Sequence, residues 1–187
     1  MSHRIFIAIN LPEDIKNRLI EIQRKWIDLP VRWTKRASLH LTLVFLGYVS
    51  DQELYQICDI TKKVAKSHQS FFINFKKILF GPPGRSPRMI WVEGEKNAEL
   101  AKLKQDLESA LSFEESIGFK PEERAFSPHI NLARIRMEEW QAIKKVPKIE
   151  EEISLNFAVN SIEVMESQLL RSGAEYAILE SAELGKI

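Results

Sequence analysis

Apolar residues recur along this chain with two periods, two in short runs and three to four in longer ones. Residues 4–9 (RIFIAI) form a nearly continuous apolar run, the mark of a central strand. Pro12, Glu13 and Asp14 then open a helix, with proline and acids in its first turn. Leu11, Ile15, Leu19, Ile22 and Trp26 supply its buried stripe, and Leu29-Pro30 ends it. A short strand is predicted over 31–33 and a strong one over 39–46, which Gly47 closes. Ser50-Asp51-Gln52-Glu53 has capping-box form and starts a second helix, with Leu54, Ile57, Thr61 and Val64 inward. Strands follow over 71–79 and 88–92, separated by the loop Gly81-Pro82-Pro83-Gly84-Arg85-Ser86-Pro87. Leu100, Leu103, Leu107 and Leu111 mark a third helix. A strand over 129–133, a short helix over 138–145 and strands over 153–157, 161–165 and 176–179 complete the chain, with Gly173 in a hairpin turn. Helices interspersed among alternating strands predict the α+β class, with a mostly antiparallel sheet.

Two of these strands share a pattern. Leu39-His40-Leu41-Thr42-Leu43 and Pro128-His129-Ile130-Asn131-Leu132 each alternate polar with aliphatic residues, and histidine leads each polar set. Successive strand side chains point to opposite faces, so His40 and Thr42 share one face and His129 and Asn131 share another. The chain has only four histidines, and two sit in this matched context, close to half a chain length apart. That spacing hints at a pseudo-twofold pair of lobes. His3 and His68 lack the context and carry no functional expectation.

Two imidazoles facing each other across a groove make a metal-free acid–base pair suited to phosphodiester chemistry. Opening a strained 2′,3′-cyclic phosphate needs a base for the attacking water and an acid for the departing ribose oxygen. Imidazole, with a pKa near ~6.5, can do either at neutral pH, and each such transfer contributes roughly 10²–10⁴ in rate. Thr42, on the same face as His40, can donate to phosphoryl oxygens as they gain charge.

At 187 residues, 44% hydrophobic and 28% charged, the chain is ordinary for a globular protein with a sizeable core. A net charge of +1 does not mark a polyanion binder, so any nucleic-acid site must come from local clustering. Lys35 and Arg36 precede the first motif, Arg85 and Arg88 flank the proline loop, and Arg124, Arg134 and Arg136 surround the second motif. Arg134 follows a motif strand directly but is five residues past His129. On a straight strand it would face away, so it reaches the groove only through a bulge near Ala133. Phe45 has the same parity and is expected in the core. The single cysteine, Cys58, reads as a small buried hydrophobe and fits a reducing compartment. No leader or membrane-spanning run is visible, so a cytoplasmic location is expected. HExxH, CxxC, Walker and GxSxG patterns are absent, and neither a metal nor a cofactor is expected.

These residues resemble the 2H phosphoesterase superfamily, and within it the RNA 2′,3′-cyclic phosphodiesterases, also called 2′-5′ RNA ligases. The opening strand, the first block through Phe45-Leu46-Gly47, Met89-Ile90-Trp91, the second block from Phe126 to Arg134, and Glu166-Ser167, Gly173 and Tyr176 carry the resemblance, which covers almost the whole chain. It implies a single bilobal domain over 1–187, two pseudo-symmetric lobes with outer helices and an active-site cleft between the motif strands. It implies metal-independent hydrolysis of RNA 2′,3′-cyclic phosphate ends to 2′-phosphates, with 2′-5′ ligation as the reverse reaction. By the family's usual assignment His40 is the acid and His129 the base, while Thr42, Asn131 and Arg134 bind phosphate. Its substrates are RNA ends such as tRNA fragments, and a monomer is expected. Asn131 stands where the family normally has Thr or Ser. Two alternatives stay open: a non-catalytic RNA-end or nucleotide binding module, and a 2H phosphodiesterase acting on a small cyclic nucleotide.

Overall fold

A computed structural model describes residues 1–84, 86–123, 125–143, 148–170 and 173–186. The elements run β1 (Ser2–Asn10), α1 (Glu13–Arg24), β2 (Val31–Trp33), β3 (His40–Ser50), α2 (Asp51–Lys66), β4 (Phe71–Gly81) and β5 (Met89–Gly94). They continue with α3 (Ala98–Phe113), β6 (His129–Ile135), α4 (Met137–Gln141), β7 (Glu150–Val159), β8 (Ser161–Leu170) and β9 (Gly173–Glu183). The class is α+β, and the pairs within the nine-stranded sheet are antiparallel.

Sheet order divides the strands into two halves of one sheet. The strands run β7-β4-β5-β6-β3-β1-β8-β9, four on each side of the boundary between β6 and β3, with β2 paired to β6. At that boundary Leu41 pairs with Ile130. The two motif strands therefore meet back to back at the centre, each backed by its own half. The connections repeat as well: β1-α1-β3 and β5-α3-β6 each place a helix between antiparallel neighbours.

The apolar run of β1 splits between two faces. Ile5, Ile7 and Ile9 join the main core with Leu39, Leu41 and the inner stripes of α1, α2 and α3. Phe6 and Ala8 face the other way and form a small cluster with Met165 and Tyr176. The predicted capping box at Ser50 forms, and Asn97 adds a cap that the sequence pattern did not single out. Ser50 Oγ accepts from the Glu53 N–H, and the Glu53 carboxylate accepts from the Ser50 N–H at 2.6 Å, starting α2. Asn97 Oδ1 accepts from the Leu100 N–H at 2.7 Å to start α3.

Some boundaries differ from expectation. Helix α1 ends at Arg24 rather than at Leu29-Pro30, because the backbone tightens into three-residue turns from Gln23 to Trp26 and from Trp26 to Leu29. Strand β3 does not stop at Gly47 but runs on to Ser50. Gly47 sits at φ 81°, inside an irregular stretch opposite Ile5 and Phe6, where a side chain would be strained. The short helix covers Met137–Gln141, and Lys145 lies outside the described residues, as do Arg85 and Arg124.

Candidate active site

Both motif strands place their polar residues on the face away from the helices. Leu41 pairs with Ile130 across the antiparallel boundary, which sets His40 beside Asn131 and Thr42 beside His129. The histidines then occupy one diagonal of a four-residue square, and the hydroxyl and the amide occupy the other.

The two imidazoles are held alike. His40 Nδ1 lies 2.8 Å from the Ser38 carbonyl and His129 Nδ1 lies 2.9 Å from the Ser127 carbonyl. A carbonyl only accepts, so each Nδ1 carries the hydrogen and each Nε2 is left as the proton acceptor. Nε2 of His40 accepts from the Thr42 hydroxyl at 3.0 Å, and Nε2 of His129 has no partner among the described residues. The sequence carried an overlooked signal here, since serine stands two residues before each histidine.

Different rings support them. His40 packs against Phe6 at 4.9 Å and edge-on to Tyr176 at 5.0 Å, centroid to centroid. His129 stacks nearly parallel on Trp91 at 3.8 Å. Burial pushes the His40 pKa below its ordinary value; the Ser38 carbonyl works against this, and the charges of His129 and Lys16 add to the lowering. Burial also lowers His129, opposed by the Ser127 carbonyl. The charge of His129 thus disfavours protonation of His40, although burial is the larger cause for both.

A cleft of about 350 Å³ opens over this square, lined by His40, Thr42, Asn131 and Arg134 among others. His129, packed on Trp91, lies next to Thr42 in the square but is not itself among the residues that line the cleft. Arg134 reaches the cleft because β6 bulges: Trp91 pairs with Asn131 but Ile90 with Ala133, leaving Leu132 as the extra residue. Leu132 and Ala133 are consequently both buried and Arg134 faces outward from the core. The same device acts in β3, where Ala8 pairs with Thr42 but Ile7 with Val44. That bulge overturns the expectation of a core Phe45. Its ring is 47% exposed, lines the cleft, and lies under the Arg4 guanidinium at 4.8 Å. Both motif strands thus turn positions 1, 3 and 6 of a six-residue block to the same face, and His40, Thr42, Phe45, Asn131 and Arg134 of these line the cleft.

Sequence reasoning missed Arg4, Arg32 and Trp91, whose exposure and stacking depend on neighbouring strands. It also missed an orphaned acceptor, since Asn131 Oδ1 is buried with no donor among the described residues. In a cleft, such an atom is open to a hydroxyl or a water. The other two histidines do structural work. His3 bridges Glu166 and Asp51 at 2.7 Å each, and His68 bonds to Asp106 at 3.0 Å.

Comparison with known proteins bears on the family and the fold. The family model described as LigT-like phosphoesterase matches residues 9–91. An RNA 2′,3′-cyclic phosphodiesterase of Thermotoga maritima is 30% identical over 183 residues, spanning 94% of this chain and 92% of its own. One of Methanocaldococcus jannaschii is 26% identical, spanning 95% of this chain and 98% of its own. A crystal structure from Thermus thermophilus superposes with a TM-score of 0.83 at 25% identity, covering 97% of each chain. Escherichia coli LigT complexed with 3′-AMP superposes with a TM-score of 0.79 at 24% identity, over 98% of this chain and 99% of that one, which speaks to the fold. The chain belongs to the LigT-like phosphoesterase family of 2H phosphoesterases.

Proposed function

We propose that this protein hydrolyses RNA 2′,3′-cyclic phosphate ends to 2′-phosphates, with His40 and His129 as its acid–base pair. The observation that carries this reading is the matched tethering of both Nδ1 atoms, which leaves two Nε2 atoms for proton transfer on one diagonal of the motif square. The names of the relatives support the substrate.

In the hydrolytic direction the unengaged Nε2 of His129 takes a proton from water as its oxygen attacks phosphorus. The bond from phosphorus to O3′ breaks, and protonated His40 delivers its proton to O3′. Binding the phosphate anion between the imidazoles favours the charged form of one of them, which is how His40 gains that proton despite its lowered pKa. Thr42 and the Asn131 amide donate to the non-bridging oxygens, and Arg134 balances their charge. Phe45, level with the motif face and exposed, offers a stacking surface for a base. A 5′-hydroxyl in place of water would give a 2′-5′ linkage in the same site. We place the reaction in the cytoplasm, carried out by a monomer on RNA ends such as tRNA fragments. Among the described residues no helix is long and apolar enough to cross a membrane.

Turnover of a short RNA ending in 2′,3′-cyclic phosphate, in excess chelator, tests the reading. The expected product gains one water and carries a 2′-phosphate, and both His40→Ala and His129→Ala abolish it. Turnover that appears only on adding a divalent metal, or that survives either substitution, sinks the two-histidine mechanism.

A further inference from the structure

The cleft carries more positive charge than one phosphate requires. Arg4, Arg32, Lys35 and Arg134 all line it, and no lining residue is acidic. The chain as a whole is nearly neutral, at +1, so this is local concentration rather than general basicity. Lys35 is paired with Glu175 at 2.8 Å, and Arg4 donates to Ser167 Oγ at 2.9 Å. Arg32 and Arg134 have no such partner among the described residues.

Their placement is unusual. Strand β2 pairs with β6 so that Arg32 stands directly opposite Arg134, on the cleft side. Like charges at directly opposed positions are unfavourable, and sheets normally place an opposite charge there. An anion lying between the two guanidinium groups removes the penalty and gains planar, bidentate donors. The pair also lies away from the motif square. Arg134 is three residues beyond Asn131 along β6, on the order of 10 Å at strand rise, and Arg32 is one strand over, about 5 Å to the side.

We infer that Arg32, opposed to Arg134 at the β2 end of the cleft, forms a second phosphate subsite that takes the phosphodiester next to the reacting terminal nucleotide, making an RNA strand rather than a mononucleotide the preferred substrate. This rests on the proposed reaction at His40 and His129. Arg134 serves both phosphates, while Arg32 serves only the second. Strand β2 is three residues long: Val31 is buried in the core, Trp33 packs partly on it and also lines the cleft, and Arg32 is the charge it brings there.

The test compares an oligoribonucleotide ending in 2′,3′-cyclic phosphate with a nucleoside 2′,3′-cyclic phosphate, for the wild type and for Arg32→Gln. The expected result is that the ratio of kcat/KM between the two substrates falls about tenfold in the variant, with most of the change in KM. The salt dependence of kcat/KM on the oligonucleotide should flatten by about 0.7 in log–log slope, the value for one phosphate on a single strand. Arg32→Lys should restore part of the slope but less of the affinity, since it keeps the charge and loses the fork. An unchanged ratio overturns the inference, whether both substrates suffer equally or neither does.

Equilibrium binding of the 2′-phosphate forms of the same two molecules reads the subsite without turnover. If the wild type turns over neither substrate, the proposed reaction fails. Weaker oligonucleotide binding in Arg32→Gln alone would then still support the subsite, and equal binding would remove it.

Discussion

Substituting Gly81 by alanine should cripple the enzyme through a residue that touches no substrate. Gly81 ends β4 beneath the indole of Trp91, and a Cβ built there would sit 2.2 Å from Cδ2, 2.5 Å from Cε2 and 2.7 Å from Cε3. Carbon atoms normally approach to about 3.5 Å, so the indole must retreat by about 1.3 Å. Trp91 is buried, and its indole stacks on the His129 imidazole at 3.8 Å. The displacement therefore passes to His129 or opens a gap under it. Misplacement of a reacting group by about 1 Å costs on the order of 10²-fold in rate. Overpacking a tight core costs about 1–3 kcal/mol of stability. Gly81→Ala should lower kcat on the cyclic-phosphate RNA by about two orders of magnitude, with Tm down by several degrees and the enzyme still folded at assay temperature. Adding Trp91→Phe, which shortens the ring, should return part of both losses. Wild-type kcat in a folded Gly81→Ala variant would refute the chain of contact from Gly81 to His129.

Asn131→Thr, which restores the pattern that the family resemblance leads one to expect, should keep or raise turnover; a severalfold loss would show that the Asn131 amide and its open acceptor are used as they stand. The kcat/KM profile should be a bell centred on the acid side of pH 6.5, because burial lowers both imidazoles; a bell centred above that value contradicts the burial argument. Stability should respond to pH with two opposite signs. His40 is held below its unfolded value, so its contribution is present in full above about pH 6.5 and is lost as pH falls toward the folded value. His3 is raised by its hydrogen bonds to Glu166 and Asp51, so its contribution is full below about pH 6.5 and is lost as pH rises through the folded value. Tm measured across pH for His40→Gln and His3→Gln should each remove its own limb. Ser50→Ala should cost about 1 kcal/mol by denaturant unfolding, since it removes one arm of the α2 capping box, and a change within error would mean that Glu53 alone holds that end.

How much could be read in advance follows from which interactions are local. Strand alternation around His40 and His129 is a property of consecutive residues, so the polar faces of both motifs were legible, as was the capping box at Ser50. The bulges were not, because each is defined by the strand alongside: β1 fixes the one in β3, and β5 fixes the one in β6. Arg134 and Phe45 presented the same parity problem and were read oppositely, one as needing a bulge and the other as core. The same device places both in the cleft. Arg32 and Trp91 escaped notice for a related reason, since neither is informative until a neighbour stands opposite it. The extra turns after α1 depend on Trp26 packing into the core, which periodicity locates but does not shape.

The joint between β6 and β3 carries a further consequence. The two imidazoles belong to different halves of the sheet, and Leu41 with Ile130 marks the registered contact between their strands, whereas β1 and β3 pair from Ser2 to Asn10 with two irregularities along the way. Opening at such a joint needs less free energy than unfolding either half. Activity should therefore fade on warming before the spectroscopic melt begins, and the amides of residues 40–42 and 129–131 should exchange with deuterium ahead of those in the flanking strands. The reactive geometry is then a property of how two halves meet, and thermal tolerance in this fold is decided at the meeting line rather than within either half of the sheet.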